Sequence, residues 1–310
     1  MKAGSRRADH LNTLDKEMKK TLPRLVRIGR FIRISITRRL VIGDTRYRVT
    51  AFRMNPLAKA AAARDYEQSA DEILRAVFKL KPGAFIDVGA NVGQTLIKVL
   101  RIDKDRRYIG FEPQTAGCSF IHQFMRTNRL SNHLILPIGL GREEGLASLG
   151  LREENDVTAS MVEEYRPEGF YSYYQPVPIS RGDTVLERLG VEALALIKID
   201  VEGGELDVLH GLKESLAKFR PFLLFELLPN YLLIPKKELD DKVIAYRDER
   251  HKEMGLLLKA WDYTVFQIRP GEGLRLIEEL AADRKVLFNC VGVPQEAVPD
   301  FEKAYGGRIT

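Results

Sequence analysis

The segment Phe85-Ile86-Asp87-Val88-Gly89-Ala90-Asn91-Val92-Gly93 constrains the fold of this chain more than any other. A short apolar strand stops in a glycine-rich turn that opens a helix at Gln94. In open α/β sheets such a turn lies at the carboxyl edge, where ligands bind. Gly89 and Gly93 let a ligand approach the backbone without meeting a Cβ, and Asn91 is among the few other residues that tolerate left-handed geometry. The glycine spacing argues against two common occupants. A dinucleotide turn needs G-x-G-x-x-G, but positions 91 and 94 are Asn91 and Gln94, and the Gly-Lys-Ser/Thr of a P-loop is absent. The turn is not built to cradle a pyrophosphate.

Strand-then-helix alternation continues on both sides of this turn. Ala58 to Leu80 has helical composition and periodicity, Ala84 to Val88 and Tyr108 to Phe111 are apolar strands, and Phe120, Ile121, Phe124 and Met125 share one helix face. Leu134 to Ile138, Leu194 to Ile199 and Phe222 to Phe225 supply further buried strands. Tyr263 to Ile268 and Val286 to Val291 flank a segment, Leu274 to Ala281, whose spacing predicts a helix. Such units joined by right-handed crossovers give an α/β fold: a doubly wound, Rossmann-like sheet of about seven strands with helices on both faces.

With 45% hydrophobic and 30% charged residues, the 310-residue chain has ample core material, which excludes a disordered or disulfide-stapled class. Cys118 and Cys290 lack metal-ligand spacing and are expected as free thiols in a reducing compartment. The longest apolar run, Pro221 to Pro235, contains Glu226 and is short of a membrane span, and the N-terminus turns polar after Arg7, so a cytoplasmic protein is expected. The net charge of +6 is uneven. Residues 1–55 hold 15 Lys and Arg against 4 Asp and Glu, whereas the remainder is mildly acidic. The expected division is a basic N-terminal extension, 1–55, and a catalytic-type domain, 56–310. Within the extension, alternation from Phe31 and the turn Gly43-Asp44-Thr45 before Tyr47 to Phe52 predict a β-hairpin. An anionic membrane surface, an acidic carrier protein or RNA fits such an arm, and so does folding back on the acidic body.

Two acids accompany the glycine turn. Asp87 sits just before it, and Glu112 ends the second strand in Gly110-Phe111-Glu112-Pro113, where a carboxylate can accept hydrogen bonds from both hydroxyls of a ribose. Two acids and no phosphate cradle suit a ligand with a ribose and an ammonium group, the chemistry of S-adenosylmethionine. After the fourth strand come Asp200, Glu202 and Glu205 on a Gly-Gly turn. Carboxylates that close should repel, so a raised pKa or a shared cation is expected. Asp200 is the candidate general base toward an acceptor hydroxyl, with Glu202 and Glu226 shaping its field; a divalent cation on Asp200 and Glu202 is a variant, and helix-start acids held by the helix dipole are the plainer alternative. No Cys/His metal spacing exists, and His210 falls more than a turn inside its helix, where a surface or packing role is expected. Between the third and fourth strands, the polar stretch Arg152 to Gln175 carries Tyr165, Phe170, Tyr171, Tyr173 and Tyr174, suited either to an acceptor lid or to packing on the body.

Ile86 to Gly93, Gly110-Phe111-Glu112-Pro113, Ile197-Lys198-Ile199-Asp200-Val201-Glu202-Gly203-Gly204-Glu205 and Leu224-Phe225-Glu226-Leu227 together resemble the FkbM-type S-adenosylmethionine-dependent methyltransferases in order and spacing, from about Tyr66 to about Pro294. The resemblance implies a class I methyltransferase fold and methyl transfer to an oxygen, with S-adenosylmethionine held by Asp87, Gly89, Asn91, Gly93 and Glu112 and a glycan, glycoside or secondary-metabolite acceptor facing Asp200, Glu202 and Glu226. The chain departs from the pattern at Leu136-Pro137-Ile138-Gly139, which has no acid for the adenine amino group and has glycine where alanine is usual. Two other functions fit less of the sequence: an RNA ribose methyltransferase that uses the basic arm, and a non-catalytic module that binds the cofactor and is recruited through the arm.

Overall fold

The computed structural model describes residues 36–51, 68–153, 156–228, 241–281 and 288–310. Residues 1–35, the first ten of the expected helix over Ala58 to Leu80, and the start of the last expected strand lie outside them.

A central sheet carries the architecture. Its strands are β3 (Ala84–Val88), β4 (Tyr108–Phe111), β5 (Leu134–Leu136), β9 (Leu194–Ile199), β10 (Phe222–Leu227), β11 (Tyr263–Arg269), β12 (Gly273–Ile277) and β13 (Phe288–Pro294). They lie in the order β12-β11-β13-β10-β9-β3-β4-β5. The run from β5 to β10 is parallel, and β13 pairs antiparallel to both β10 and β11. From β3 the chain builds outward through β4 and β5, then returns to place β9 on the other side of β3. The strand order therefore reverses between β3 and β9, which is where a doubly wound sheet opens a ligand crevice.

Alternation of side chains divides the core into two layers. Phe85, Tyr108, Leu196, Phe222 and Leu224 face α1 (Gln68–Leu80), α2 (Gln94–Ile102), α3 (Thr115–Thr127) and α8 (Val298–Tyr305). Ile86, Val88, Ile109, Phe111, Ile197, Ile199, Leu223 and Phe225 face α4 (Gly182–Arg188), α5 (Glu205–Gly211), α6 (Lys213–Phe219) and α7 (Asp241–Ala260). Strands buried on both faces explain why their sequences read as continuous apolar runs.

The segment expected as a helix over Leu274 to Ala281 is instead β12 in its first half. Pro270-Gly271-Glu272-Gly273 makes a turn with two glycines at positive φ, and β12 pairs back on β11. Leu274 and Leu276 also exchange backbone hydrogen bonds with Arg308 and Thr310, so the C-terminus completes the edge. The sheet thus has eight strands, seven of which follow the sequence expectation. The polar stretch after β5 holds a second sheet of β6 (Gly139–Leu140), β7 (Gly145–Leu151) and β8 (Tyr173–Ser180) in the order β6-β8-β7.

The expected hairpin is present as β1 (Ile36–Ile42) and β2 (Thr45–Ala51), joined at Gly43-Asp44. Ile42, Tyr47 and Val49 are buried in the same core layer as α2 and α3, with the Tyr47 ring 5.6 Å from Phe124. Among the described residues no helix is long and apolar enough to cross a membrane.

Candidate active site

The β3–α2 turn takes the backbone geometry its sequence calls for. Gly89 has φ +85°, Asn91 +48° and Gly93 +91°. At Gly89 the steric demand comes from the protein itself, because a Cβ there would lie 1.9 Å from the Asp200 carbonyl oxygen. The two loops are stitched together by the Asp200 N–H donating to Val88 at 3.0 Å.

Glu112 is buried at the end of β4, and its two carboxylate oxygens accept from the Asn91 N–H at 2.7 Å and the Gln114 N–H at 2.8 Å. Burial pushes its carboxyl up to about 7 against those two bonds. Each oxygen keeps a second lone pair, so the carboxylate can shape the turn and still accept from a hydroxyl. Gln114 was not singled out from the sequence. Its Nε2 donates to the Asp156 carbonyl at 2.9 Å, which leaves Oε1 as a buried acceptor without a partner two residues beyond Glu112. At Gly139 a Cβ would lie 2.8 Å from the end of the flexible Met161 side chain.

Asp87 has no exposed surface. It accepts from the Tyr108 hydroxyl at 2.6 Å, and burial pushes its carboxyl up to about 6. In the sheet register Asp87 stands beside Lys198 of β9, Lys198 stands beside Leu224 of β10, and Glu226 follows on the Leu224 face. A buried acid, a lysine and a second acid thus cross three neighbouring strands. Lys198 Nζ donates to Asp200 at 2.7 Å. Burial works against this ammonium, but Asp200 and Asp87 outweigh it and hold its pKa above the ordinary lysine value. Lys198 was quoted in the sequence only as part of a motif; the available signal was a lone charge inside an otherwise apolar strand.

Asp200, Glu202 and Glu226 come together as expected, each with one carboxylate oxygen within 4.8 Å of the others. Of the raised pKa or shared cation expected around Asp200, Glu202 and Glu205, the raised pKa is found: burial lifts Glu205 to about 7, and burial together with Asp200 and Glu202 lifts Glu226 to about 9. The cation beside Asp200 is the Lys198 ammonium. Asp200 is the most open of the three, with its side chain 37% exposed. Glu202 sits at φ +56°, unusual for a non-glycine residue, and meets Arg166 Nη2 at 2.5 Å. Burial drives the Glu202 carboxyl upward and Arg166 pulls it back. On balance the Glu202 carboxyl stays raised, at about 8, with Arg166 a charged donor beside it.

Arg166 comes from the polar stretch and is itself buried. It is placed there by Tyr165, whose ring covers Gly203 so closely that a Cβ on Gly203 would lie 2.4 Å from it. From α7, Arg247 donates twice to the Tyr165 carbonyl, at 3.0 and 2.6 Å, and His251 meets the Tyr165 hydroxyl at 3.1 Å. The aromatic cluster of this stretch is therefore divided. Tyr165 and Tyr171 are buried, whereas Tyr173 and Tyr174 open β8 toward solvent. His210 pairs with Glu253 at 3.4 Å, outside the cluster, in keeping with a surface role.

The residues at the sheet crevice fit a nucleoside with no phosphate: a buried carboxylate with spare lone pairs, an unpartnered amide oxygen beside it, and a tight turn. Comparison with known proteins gives this arrangement a family. The model of the methyltransferase FkbM domain matches residues 87–265. Methyltransferase 1 of Beauveria bassiana (strain ARSEF 2860) is 26% identical over 145 residues, 42% of this chain and 58% of that protein. Looser structural likenesses include the methyltransferase FkbM from Methylobacillus flagellatus KT, with a TM-score of 0.41 and 17% identity over 68% of this chain and 43% of that one. Another is an O-methyltransferase from Bacillus cereus in complex with SAH, with a TM-score of 0.41 and 11% identity over 76% and 88%. The chain thus spans little more than half the length of the curated relative and less than half of the FkbM structure. The family match itself takes in more than half of the sequence and every acid of the site: the chain belongs to the FkbM methyltransferase family, a domain whose cofactor is S-adenosylmethionine.

Proposed function

We propose that the protein transfers a methyl group from S-adenosylmethionine to a hydroxyl of a glycan, glycoside or similar hydroxylated metabolite. The cofactor brings an already activated methyl group on a sulfonium, so the chain has to supply alignment and a destination for the acceptor proton. The observation that carries the proposal is Asp200. Its side chain is 37% exposed against 16% for Glu202, it is ion-paired with Lys198 at 2.7 Å, and its loop is fixed against the glycine turn.

In this reading Glu112 accepts from the ribose hydroxyls and Gln114 Oε1 from the adenine amino group, in place of the acid missing after β5. Gly89, Asn91 and Gly93 shape the turn, and Asp87 supports it from below through Tyr108 and Lys198. Asp200 takes the acceptor proton. Glu226, pushed up to about 9, is protonated near neutrality and can donate to an acceptor oxygen. Glu202, held by Arg166, limits the cup on the side of the polar stretch. The exposed Tyr173 and Tyr174 offer ring faces to a sugar.

Radiolabelled methyl transfer to a panel of hydroxylated acceptors, with calorimetric titration of S-adenosylmethionine, tests the proposal. Asp200→Asn should lower kcat by about 10²–10⁴-fold and leave cofactor affinity nearly unchanged. Glu112→Ala should weaken the cofactor by roughly 1.5–3 kcal/mol. Wild-type turnover in Asp200→Asn would overturn the base assignment. Cofactor binding without transfer to any hydroxyl would favour the recruitment module.

A further inference from the structure

The hairpin has an outer face that the active site does not use. Its inner face packs Ile42, Tyr47 and Val49 on the core, so the alternate residues point away. Arg46 and Arg48 are exposed there, Val41 is 65% exposed, and the register sets Val41 opposite Arg46 and Arg39 opposite Arg48. Two hydrogen bonds hold the backbone edge of β2 to the end of α3: the Arg48 N–H donates to Asn128 Oδ1 at 2.6 Å, and Asn128 Nδ2 donates to the Arg48 carbonyl at 2.7 Å. Arg126 and Arg129, both exposed, flank Asn128 and extend the positive surface. Asp44 in the turn and Asp105 near Tyr47 are acids close to it.

We infer that this surface docks the protein on an anionic phospholipid membrane. Three features point to lipid rather than nucleic acid. An aliphatic side chain, Val41, stands exposed among the arginines, the combination that settles at a headgroup boundary. Single-stranded nucleic acid is held on stacking aromatics, but among the described residues of the hairpin the one aromatic, Tyr47, is turned into the core. The patch also lies at the opposite end of α3 from Glu112, so docking leaves the carboxyl edge of the sheet free.

Flotation of the full chain with phosphatidylcholine vesicles, with or without about one-third phosphatidylglycerol, tests this. Expected is binding to the anionic vesicles only, weakening as salt rises. Each arginine near such a surface multiplies partitioning about fivefold, so Arg46→Glu with Arg48→Glu should weaken binding at least tenfold, and Val41→Asp should also weaken it. Unchanged S-adenosylmethionine affinity and melting temperature would show that the variants are folded. No binding to anionic vesicles, wild-type binding by the charge-reversal variant, or capture of an RNA oligonucleotide in preference to the vesicles would overturn the assignment.

Discussion

Replacing Lys198 with methionine removes the cation on which the acid row depends. Removing one member of a buried ion pair costs about 3–5 kcal/mol, because the other charge is left without compensation. Two features of this site lower that figure. Asp200 is 37% exposed and can turn toward solvent. Lys98, lowered to about 8 by burial and then by Lys198, charges more readily once Lys198 is gone. Asp87 has neither relief, since it is fully buried and its nearest donor is the neutral Tyr108 hydroxyl. We therefore expect a loss of roughly 2–3 kcal/mol near pH 8, or about 3–5 °C in Tm for a chain of this size. The loss should shrink near pH 5.5, where Asp87, already raised to about 6 with Lys198 present, is protonated in the folded variant. Thermal unfolding of Lys198→Met at both pH values, and of Lys198→Met with Asp200→Asn, provides the test. The double variant should recover at least about 1 kcal/mol of the single loss as coupling energy. Equal destabilisation at the two pH values, or strict additivity of the two substitutions, would refute the electrostatic account of the row.

Asp87, Glu112 and Glu205 each have a folded pKa above the ordinary value, at about 6, 7 and 7, with burial the largest cause. The folded state therefore holds more protons than the unfolded chain between about pH 4 and 7, and each group's contribution, roughly 3 kcal/mol, is lost as pH rises through that window. Ligand-free protein should melt higher near pH 5 than near pH 8, with a flatter profile in Glu205→Gln; the opposite slope in wild type would contradict this. Gly203→Ala puts a methyl group 2.4 Å from the Tyr165 ring at φ +104°, so overpacking and backbone strain together should cost about 2–4 kcal/mol and loosen Arg166 from Glu202. A melting temperature within about 1 °C of wild type would show that Tyr165 yields freely.

The fold was legible where local pattern and tertiary role coincide. Ala84 to Val88 and Leu194 to Ile199 read as strands because burial on both faces leaves no room for polar alternation, and their observed limits agree with the expectation. Leu274 to Ala281 misled because Leu274, Ile277 and Leu280 keep helical spacing, whereas the turn at Gly271 and Gly273 and the pairing on β11 decide the structure. β7 and β8 went unseen for a related reason: much of their length faces solvent, so no apolar run marks them. At the site, the glycine turn and the acids could be read from the sequence because backbone geometry and charge are written into residue type. Lys198, Gln114 and Arg166 could not, since their roles depend on which strand lies beside which and on what α7 presses against the turn.

The proposed role of Asp200 depends on how the charges of a crowded acid cluster are balanced. Three acids with oxygens within 4.8 Å of one another cannot all ionise in a buried setting without compensation. Each is balanced by a different means. Glu202 meets a buried arginine delivered from outside the sheet, Glu226 retains its proton because burial raises it, and Asp200 receives a lysine from its own strand. The third leaves one oxygen of a half-exposed carboxylate without a hydrogen bond, and in the proposed reading that oxygen is the proton acceptor. Glu226→Gln, which replaces an already neutral carboxyl with a neutral amide, should then change turnover far less than Asp200→Asn does. A Glu226→Gln variant as impaired as Asp200→Asn would move the base to β10.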